Sequence, residues 1–400
     1  MQDVDQERCT WLVQYNNLLG YIQQTLGSNT EALMSLHKAE SLMQEHETEE
    51  AGVRLQVNKA NLAWVYFLMG EMDKSKEYLE EVERLQRMHP APPECALHPE
   101  VSGEKGWTLL KFNKSKKEQA IKCFEMALKA EPERKEWHKG LATARSKYVN
   151  NKCPSELKTE ILKQVKIAHE NEPNNLFLHA LYLLKQSEVQ PEDTEREMQG
   201  LLVRTLHSGD LEGFSKILQY FGNISKDTAI IKASRVREKF PESSLALKHL
   251  ANCYKWKVHA VKEDHQEREL FARSSIALFE RVVRDYPDSI REKVALASMH
   301  YYADNTKRAD EIYQQLLSEK DLSPYRQQYI YYNYAWHLYT LGQANKAIHF
   351  HMKVAEIQND SYEKEKSRWI LKTTVKKGRD PRCEEIQHFL ERINISVTDK

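Results

Sequence analysis

Small and large apolar residues recur along this chain at helical spacing, and one stretch of the pattern is specific. Ala120, Phe124 and Ala127 follow one another at intervals of four and three, and Pro132 comes five positions later. Two small side chains and one large one on a single helical face let two helices pack closely. The proline then ends the second helix. This spacing is typical of the second helix of a tetratricopeptide repeat, a helix pair of about 34 residues.

Similar helix pairs, about nine of them, are predicted along almost the whole chain, and no strand pattern competes with them. Such pairs cannot bury their apolar faces alone, so they stack. We therefore predict an all-α, superhelical tetratricopeptide-repeat solenoid with a long concave groove. The predicted divisions are a short N-terminal segment at 1–14, the superhelix at 15–356 and a basic helical tail at 357–400. Within the superhelix we expect a proline-rich joint at 89–99 and insertions near 149–156 and 257–268.

The composition agrees with a water-soluble helical protein. Charged residues make up 30% of the 400 positions and glycine occurs 13 times. No run of about 18 apolar residues occurs and the first residues are polar and acidic, so we expect no membrane span and no signal peptide. The cysteines form no Cys-x-x-Cys and are predicted to be reduced cytoplasmic thiols, at positions Cys9, Cys95, Cys123, Cys153, Cys253 and Cys383.

The net charge of zero conceals an asymmetry between neighbouring segments. Residues 1–104 carry 8 Lys or Arg against 18 Asp or Glu, whereas residues 105–152 carry 13 against 5. A basic block inside a neutral chain favours an anionic ligand, and nucleic acid is the obvious candidate. The alternative, a solvated helical face without a ligand, stays open.

The first helix of each tetratricopeptide pair faces the concave side, and here its residues are basic and aromatic. Lysines contact phosphates and flat rings stack on bases, so this mixture suits single-stranded nucleic acid. Each ring is equally suited to fill a seam between helices. The residues predicted to line or border the groove are Lys105, Lys111, Lys139, Arg145, Lys147, Phe177, Phe214, Leu218, Phe221, Lys248, Asn252, Lys255, Trp256, Tyr301, Tyr302, Tyr329, Tyr332, Trp336 and Tyr339.

One pair within this set places a stacking ring beside a cation. Trp107 and Lys111 are four positions apart, which puts them on one helical face. Lys111 is expected on the crowded side of its helix, where a charge needs a partner. The pair suits a base next to its phosphate, although Trp107 is equally suited to pack as a core residue.

Several longer motifs resemble the interferon-induced proteins with tetratricopeptide repeats. That resemblance implies an interferon-inducible, cytoplasmic antiviral protein that holds the 5′ end of single-stranded viral RNA, triphosphate or capped, and restrains its translation. It also implies association with family members and with the translation initiation machinery, and we expect no DNA, no membrane and no cofactor. The motifs lie at residues 17–22, 31–46, 61–66, 106–111, 253–255, 295–300 and 346–349.

The resemblance also assigns roles to individual residues. Trp107 matches the family's base-stacking tryptophan and Lys111 its phosphate-binding lysine, while Lys147 replaces an arginine and Phe177 a tyrosine. Lys248 and His249 align with a His-Gln pair. Three basic groove positions fall instead on Phe214, Leu218 and Phe221, and Cys9-Thr-Trp11 runs into residue 15 without the helix that helps form the cap pocket. The predicted RNA-binding set is Trp107, Lys111, Lys105, Lys139, Arg145, Lys147, Phe177, Lys248, His249 and Lys255.

A protein-interaction scaffold of innate immunity that has lost the RNA 5′-end pocket is the alternative function. Its apolar mid-groove would hold a peptide or helix, but a carboxylate clamp is disfavoured because Leu109 stands where the asparagine should be. An enzyme is not expected. The 16 histidines show no metal-ligand spacing, and His349 and His351 point to different faces of one helix.

Overall fold

The computed structural model describes residues 2–25, 27–45, 49–112, 114–148, 154–190, 194–320, 322–378 and 380–398. All regular secondary structure within these ranges is helical. The prediction of an all-α tetratricopeptide-repeat fold is therefore confirmed. The chain divides into two compact units, residues 1–172 and 173–400, and each is described by itself.

The first unit consists of consecutive helices that pair in chain order. Each helix packs mainly against its neighbours in sequence, as expected for stacked repeats. The helices are α1 Gln2–Thr25, α2 Asn29–Glu45, α3 Glu49–Leu68, α4 Met72–Met88, α5 Pro99–Leu109, α6 Lys114–Ala130, α7 Lys135–Tyr148 and α8 Ser155–Asn171.

The second unit continues the same arrangement. Its helices are α9 Leu176–Val189, α10 Thr194–Ser208, α11 Phe214–Ile224, α12 Lys226–Lys239, α13 Ser244–Ala260, α14 His265–Asp285, α15 Ile290–Tyr302, α16 Thr306–Ser318, α17 Pro324–Thr340, α18 Ala344–Glu356, α19 Tyr362–Lys377 and α20 Cys383–Thr398. Helices α19 and α20 occupy the predicted tail, and Ile386 and Phe389 of α20 lie buried in one core cluster with Ile348 of α18.

The sequence signature of the third pair forms the core between α5, α6 and α7. Ala120, Phe124 and Ala127 are fully buried. The ring of Phe124 lies between Gly106 of α5 and Gly140 of α7, where an added Cβ would come within 2.9 Å and 2.3 Å of it. The two glycines thus let three helices close around one ring, which confirms the packing that the spacing predicted.

The predicted joint and insertions fall at the junctions between helices. Helix α4 ends at Met88, residues 89–98 form no helix, and His98 caps α5 by accepting a hydrogen bond from the backbone N–H of Glu100. Helices α13 and α14 cover most of the 257–268 insertion. Residues 149–153 of the other insertion lie outside the described residues. The domain boundaries at 14/15 and 356/357 stay predictions, and the first of them falls within α1.

Candidate nucleic-acid interface

Three predicted site residues of the first unit lie on α5 and in the turn that follows it. Lys105 is exposed on α5, and Trp107 is half-buried one residue beyond Gly106. Helix α5 ends at Leu109, so Lys111 lies in the following turn, where its backbone N–H donates to the Thr108 carbonyl at 3.1 Å. Lys111 is exposed there, and the expectation that it points into the crowded side of the helix is wrong. Among the described residues neither Lys105 nor Lys111 has an ion pair.

Trp107 leaves one polar atom unsatisfied. Its ring packs edge-to-face on Phe124, with centroids 5.2 Å apart and planes at 74°. The indole N–H is buried and has no hydrogen-bond acceptor among the described residues. A buried donor without an acceptor costs about 1–3 kcal/mol. Trp107 is therefore both a core residue and a donor that no described residue satisfies.

The predicted basic residues of α7 differ from Lys105 and Lys111, because two of them already form ion pairs with carboxylates. Lys139 lies 3.7 Å from Glu172. The guanidinium of Arg145 bridges Glu125 and Glu160, at 2.8 Å each. A phosphate that approached Arg145 would compete with both carboxylates. Lys147, the third predicted residue of α7, is exposed.

A buried ionic cluster in the first unit was missed from the sequence. Arg54 of α3 contacts Glu100 and Glu136 at 3.0 Å and Glu104 at 3.6 Å, and Arg134 contacts Glu100 at 2.9 Å. Burial raises the pKa of Glu100 and of Glu104 to about 7, and the guanidinium of Arg54 offsets only part of that rise. Arg54 is thus fully engaged, and an anion near it would meet three carboxyl groups.

A signal for this cluster is present in the sequence of α5. Glu100 and Glu104 are one helical turn apart and flank Gly103, on the side of the helix that packs against fully buried Trp137. Two acidic residues on a core-facing stripe indicate a buried basic partner elsewhere in the chain.

Lys105 also lines a cavity of the first unit, which has a volume of about 720 Å³. Helices α1, α3, α4 and α5 and the proline-rich segment form its walls, which are largely apolar. Tyr21 and Phe112 contact each other edge-to-face there, with ring centroids 6.1 Å apart. Glu104 lies in the same wall as Lys105, so the cavity carries both signs of charge.

Three predicted site residues of the second unit lie on α13. Lys248 makes an ion pair with Glu292 at 2.6 Å, so its charge is already matched. His249 packs edge-to-face on Phe214, with centroids 5.3 Å apart, and burial lowers its pKa to about 4, with a smaller contribution from Lys248. His249 is therefore neutral at pH 7. Lys255, two helical turns along, is half-buried and has no ion pair among the described residues.

The prediction that Phe214, Leu218 and Phe221 line an apolar mid-groove is wrong. All three side chains are buried in the core formed by α9 to α13. Helix α11 packs against α9, α12 and α13, and Gly213 at its start lies against the backbone of Leu176 and Phe177. Close packing on several sides removes these residues from any surface. The predicted site residue Phe177 remains half-buried at the start of α9.

The cysteines that the structure describes are free. Cys123 and Cys253 are buried, and Cys95 and Cys383 are partly exposed. Burial raises the pKa of the Cys253 thiol to about 12, so it is protonated at pH 7. The side chain of Cys9, and Cys153 altogether, lie outside the described residues.

Neither a metal site nor a membrane span is found in the described part of the chain. No three histidine, cysteine or carboxylate side chains stand close enough there to hold a metal ion. None of the described helices combines the length and the apolar character that crossing a bilayer requires.

Comparison with known families and proteins gives a consistent result. The family model "Tetratricopeptide repeat" matches residues 59–87, most of the α3–α4 pair. The human "Interferon-induced protein with tetratricopeptide repeats 2" is 29% identical over 94% of this chain and 82% of its own length. The human "Antiviral innate immune response effector IFIT1" is 29% identical over 90% of this chain and 78% of its own length.

Solved structures give the same relationship. A monomeric mutant of IFIT1 with Gppp-AAAA aligns with a TM-score of 0.58 and 26% identity, over 95% of this chain and 89% of that one. The human IFIT1 dimer with PPP-AAAA aligns with a TM-score of 0.56 and 25% identity, over 96% and 91%.

Proposed function

We propose that this chain, a homologue of the interferon-induced proteins with tetratricopeptide repeats, is an antiviral protein that binds single-stranded RNA. The resemblance expected from the sequence is confirmed, since relatives at about 29% identity over most of the chain carry that name. Structures of the similar protein IFIT1 contain triphosphate or capped RNA. By extension, we propose that this chain binds the 5′ end of RNA. We also propose that it acts in the cytoplasm and that binding restrains translation of the bound RNA. Catalysis is not part of the proposal.

The observation that carries the proposal is the group Lys105, Trp107 and Lys111. Two exposed lysines, without carboxylate partners in the described part of the chain, flank a tryptophan whose indole N–H has no acceptor there. A phosphate oxygen satisfies the lysines without displacing an existing ion pair, and the ring offers a stacking surface. By contrast Lys139, Arg145 and Lys248 must first give up their carboxylates. We assign the stronger contacts to the α5 group, and secondary roles to Lys147, Phe177, His249 and Lys255.

The proposal is tested by RNA binding with the α5 group altered. Full-length protein is titrated onto fluorescent single-stranded RNA with a triphosphate, capped or hydroxyl 5′ end. We expect binding by the wild type and a loss of roughly tenfold or more for Lys111→Glu combined with Trp107→Phe, which keeps a ring on Phe124. Lys129→Glu on α6 is the matched charge control, because Lys129 is exposed and lies 3.8 Å from Glu94.

Three results separate the functions. If the α5 variant loses RNA binding and the control keeps it, the proposal is supported, and the preferred 5′ end identifies the ligand. If no α5 variant alters RNA binding, the RNA site lies outside the α5 group. No RNA binding by the wild type would refute the proposal. A cell-free translation assay on the preferred RNA then measures whether added protein lowers the product.

A protein scaffold remains the second candidate function, favoured by one surface feature. The end of α3, the turn after it and the start of α4 expose large apolar side chains, and the Trp64 and Phe67 rings are stacked 5.6 Å apart. These side chains are Trp64, Phe67, Leu68, Met69 and Met72. Clusters of exposed large apolar side chains are typical of protein interfaces. Capture of partners that is lost in Trp64→Ser and unaffected by Lys111→Glu would support this function.

A further inference from the structure

A second, smaller cavity lies within the second unit and is lined mainly by aromatic rings. Its volume is about 260 Å³, and helices α13, α15, α16 and α17 form it. Tyr301 and Tyr302 of α15 pack edge-to-face at one side, with centroids 5.2 Å apart. Tyr329 and Trp336 of α17 lie in the same wall, and Trp336 is about half exposed, at 47%. Flat rings thus flank an opening at the surface.

The charge of this cavity is positive. Lys255 lines it, 5.9 Å above the ring of Phe279, without an ion pair among the described residues. None of the described residues that line the cavity is acidic. Burial lowers the pKa of Lys255, and the nearby cations Lys248 and Arg291 lower it further, against an opposing effect of Glu292. An anionic ligand would stabilise the ammonium in this desolvated position.

Two side chains of the cavity each keep one polar atom without a hydrogen bond within the described ranges. His337 is 5% exposed, and its Nε2 has no hydrogen-bond partner among the described residues. Burial lowers the pKa of His337, with Asp310 opposing, so its imidazole is neutral and presents one donor and one acceptor. Asn333 donates to the Tyr329 carbonyl at 2.7 Å, which leaves its side-chain oxygen free to accept. The buried Nε2 of His337 is unsatisfied and the half-buried Asn333 keeps an unused acceptor, and this pair indicates a ligand with polar edges.

We infer that this cavity holds one nucleotide of a bound single-stranded RNA, with the base among the rings of Tyr301, Tyr302 and Trp336 and its phosphate beside Lys255. The inference rests on the proposed function. The volume of about 260 Å³ lies just below the range of roughly 300–1,000 Å³ for drug-sized ligands, so the base of one nucleotide enters the cavity while its sugar and phosphate lie at the opening. The edge of the base would meet Asn333 and His337.

Two variants with matched controls test the nucleotide site. Lys255→Gln removes the cation from the cavity, and Lys257→Gln changes the next lysine of α13, which is ion-paired to Asp227 and Glu267 at 2.9 and 3.2 Å. Trp336→Ala removes a ring from the cavity, and Trp369→Ala removes an exposed ring from α19. RNA affinity is measured by fluorescence anisotropy, and the thermal unfolding midpoint verifies folding. Stacking contributes about 1–3 kcal/mol per base, so Trp336→Ala should weaken binding by roughly fivefold or more.

The location is read independently by cross-linking. Single-stranded RNA containing 4-thiouridine is irradiated with the full-length protein, and cross-linked peptides are identified by mass spectrometry. The inference predicts cross-links in peptides that contain Tyr301, Tyr302 or Trp336, weakened binding in the two cavity variants, and unchanged binding in both controls. RNA that binds tightly but is insensitive to Lys255→Gln and Trp336→Ala would overturn the inference and leave the proposed function standing.

A further arm separates this failure from a failure of RNA binding itself. Adenosine and uridine monophosphates are titrated onto the protein and followed by NMR of the ligand, beside phosphotyrosine as a different anionic aromatic compound. If Lys255→Gln abolishes the binding of mononucleotides, the assignment of a nucleotide to this cavity is supported, even where Lys111→Glu weakens the binding of longer RNA. If the wild-type protein binds neither RNA nor mononucleotides, both proposals are refuted. If it binds phosphotyrosine selectively, the inference that the cavity holds a nucleotide is refuted.

Discussion

At the scale of single residues, the decisive property is whether a cation is already paired. The sequence identifies a basic block but does not distinguish exposed Lys105 and Lys111 from Arg145, which bridges two carboxylates at 2.8 Å. The partners Glu125 and Glu160 lie 20 and 15 positions away from Arg145, so only the folded helices bring them together. The available charge is therefore smaller than the composition of residues 105–152 implies.

The buried carboxyl group of Glu104 gives a prediction about pH. Its pKa is raised from 4.5 to about 7 in the folded chain, so the native state binds more protons than the unfolded state between these values. The free energy of unfolding should therefore fall as pH rises from 4.5 to about 7. We expect Glu104→Gln, which can still accept the hydrogen bond from Gln14, to reduce that fall by on the order of 1–3 kcal/mol.

Urea unfolding at a series of pH values measures this dependence. Glu118→Gln serves as the control, because this carboxyl group is exposed on α6. An unchanged pH profile in the Glu104 variant would contradict a shifted pKa at this position.

At the scale of helices, the glycines of the first unit determine how closely neighbours pack. A Cβ on Gly103 would lie 2.1 Å from the ring of Trp137, which is fully buried and donates its indole N–H to Glu131 at 2.7 Å. The ring has no room to move away, so α5 would have to shift. Gly200 of α10 differs, because an added Cβ there would meet none of the described atoms within 4 Å.

These two glycines therefore respond oppositely to the same substitution. Gly103→Ala should lower the free energy of unfolding by about 1–3 kcal/mol through overpacking. Gly200→Ala should leave stability unchanged or raise it by about 0.5–1 kcal/mol, since alanine favours helix. Thermal unfolding followed by circular dichroism compares both with the wild type. Equal effects at the two positions would show that close packing at Gly103 does not limit stability.

The helix pairs were predictable from sequence, whereas the faces they bury were predictable only in part. The spacing of Ala120, Phe124 and Ala127 located one pair correctly because small and large residues alternate on a single stripe. Helix α11 carries Phe214, Leu218 and Phe221 on one apolar face, but periodicity does not show whether such a face lies in the core or lines a groove. The repeat pattern placed Lys255, Tyr301 and Trp336 along the groove, but it did not show that four helices bring them together around one cavity.

At the scale of the whole molecule, the zero net charge means that RNA binding depends on local charge and not on a long-range attraction. Within the described residues, the first unit offers unpaired lysines beside a tryptophan, and the second offers an aromatic cavity with one unpaired lysine. The buried carboxyl groups around Arg54 oppose phosphate at that place. The proposed RNA contacts are therefore few and separable by single substitutions.

The salt dependence of RNA affinity tests most directly whether the α5 lysines hold the RNA backbone. The dissociation constant for single-stranded RNA is measured across salt concentrations for the wild type, Lys105→Gln/Lys111→Gln and Lys139→Gln. Each lost phosphate contact lowers the slope of log affinity against log salt by about 0.7 for single strands, so the double variant should lose about 1.4. Lys139→Gln, which removes a lysine already paired with Glu172, should keep nearly the whole slope. A slope unchanged in the double variant would contradict the assignment of the phosphate contacts to Lys105 and Lys111.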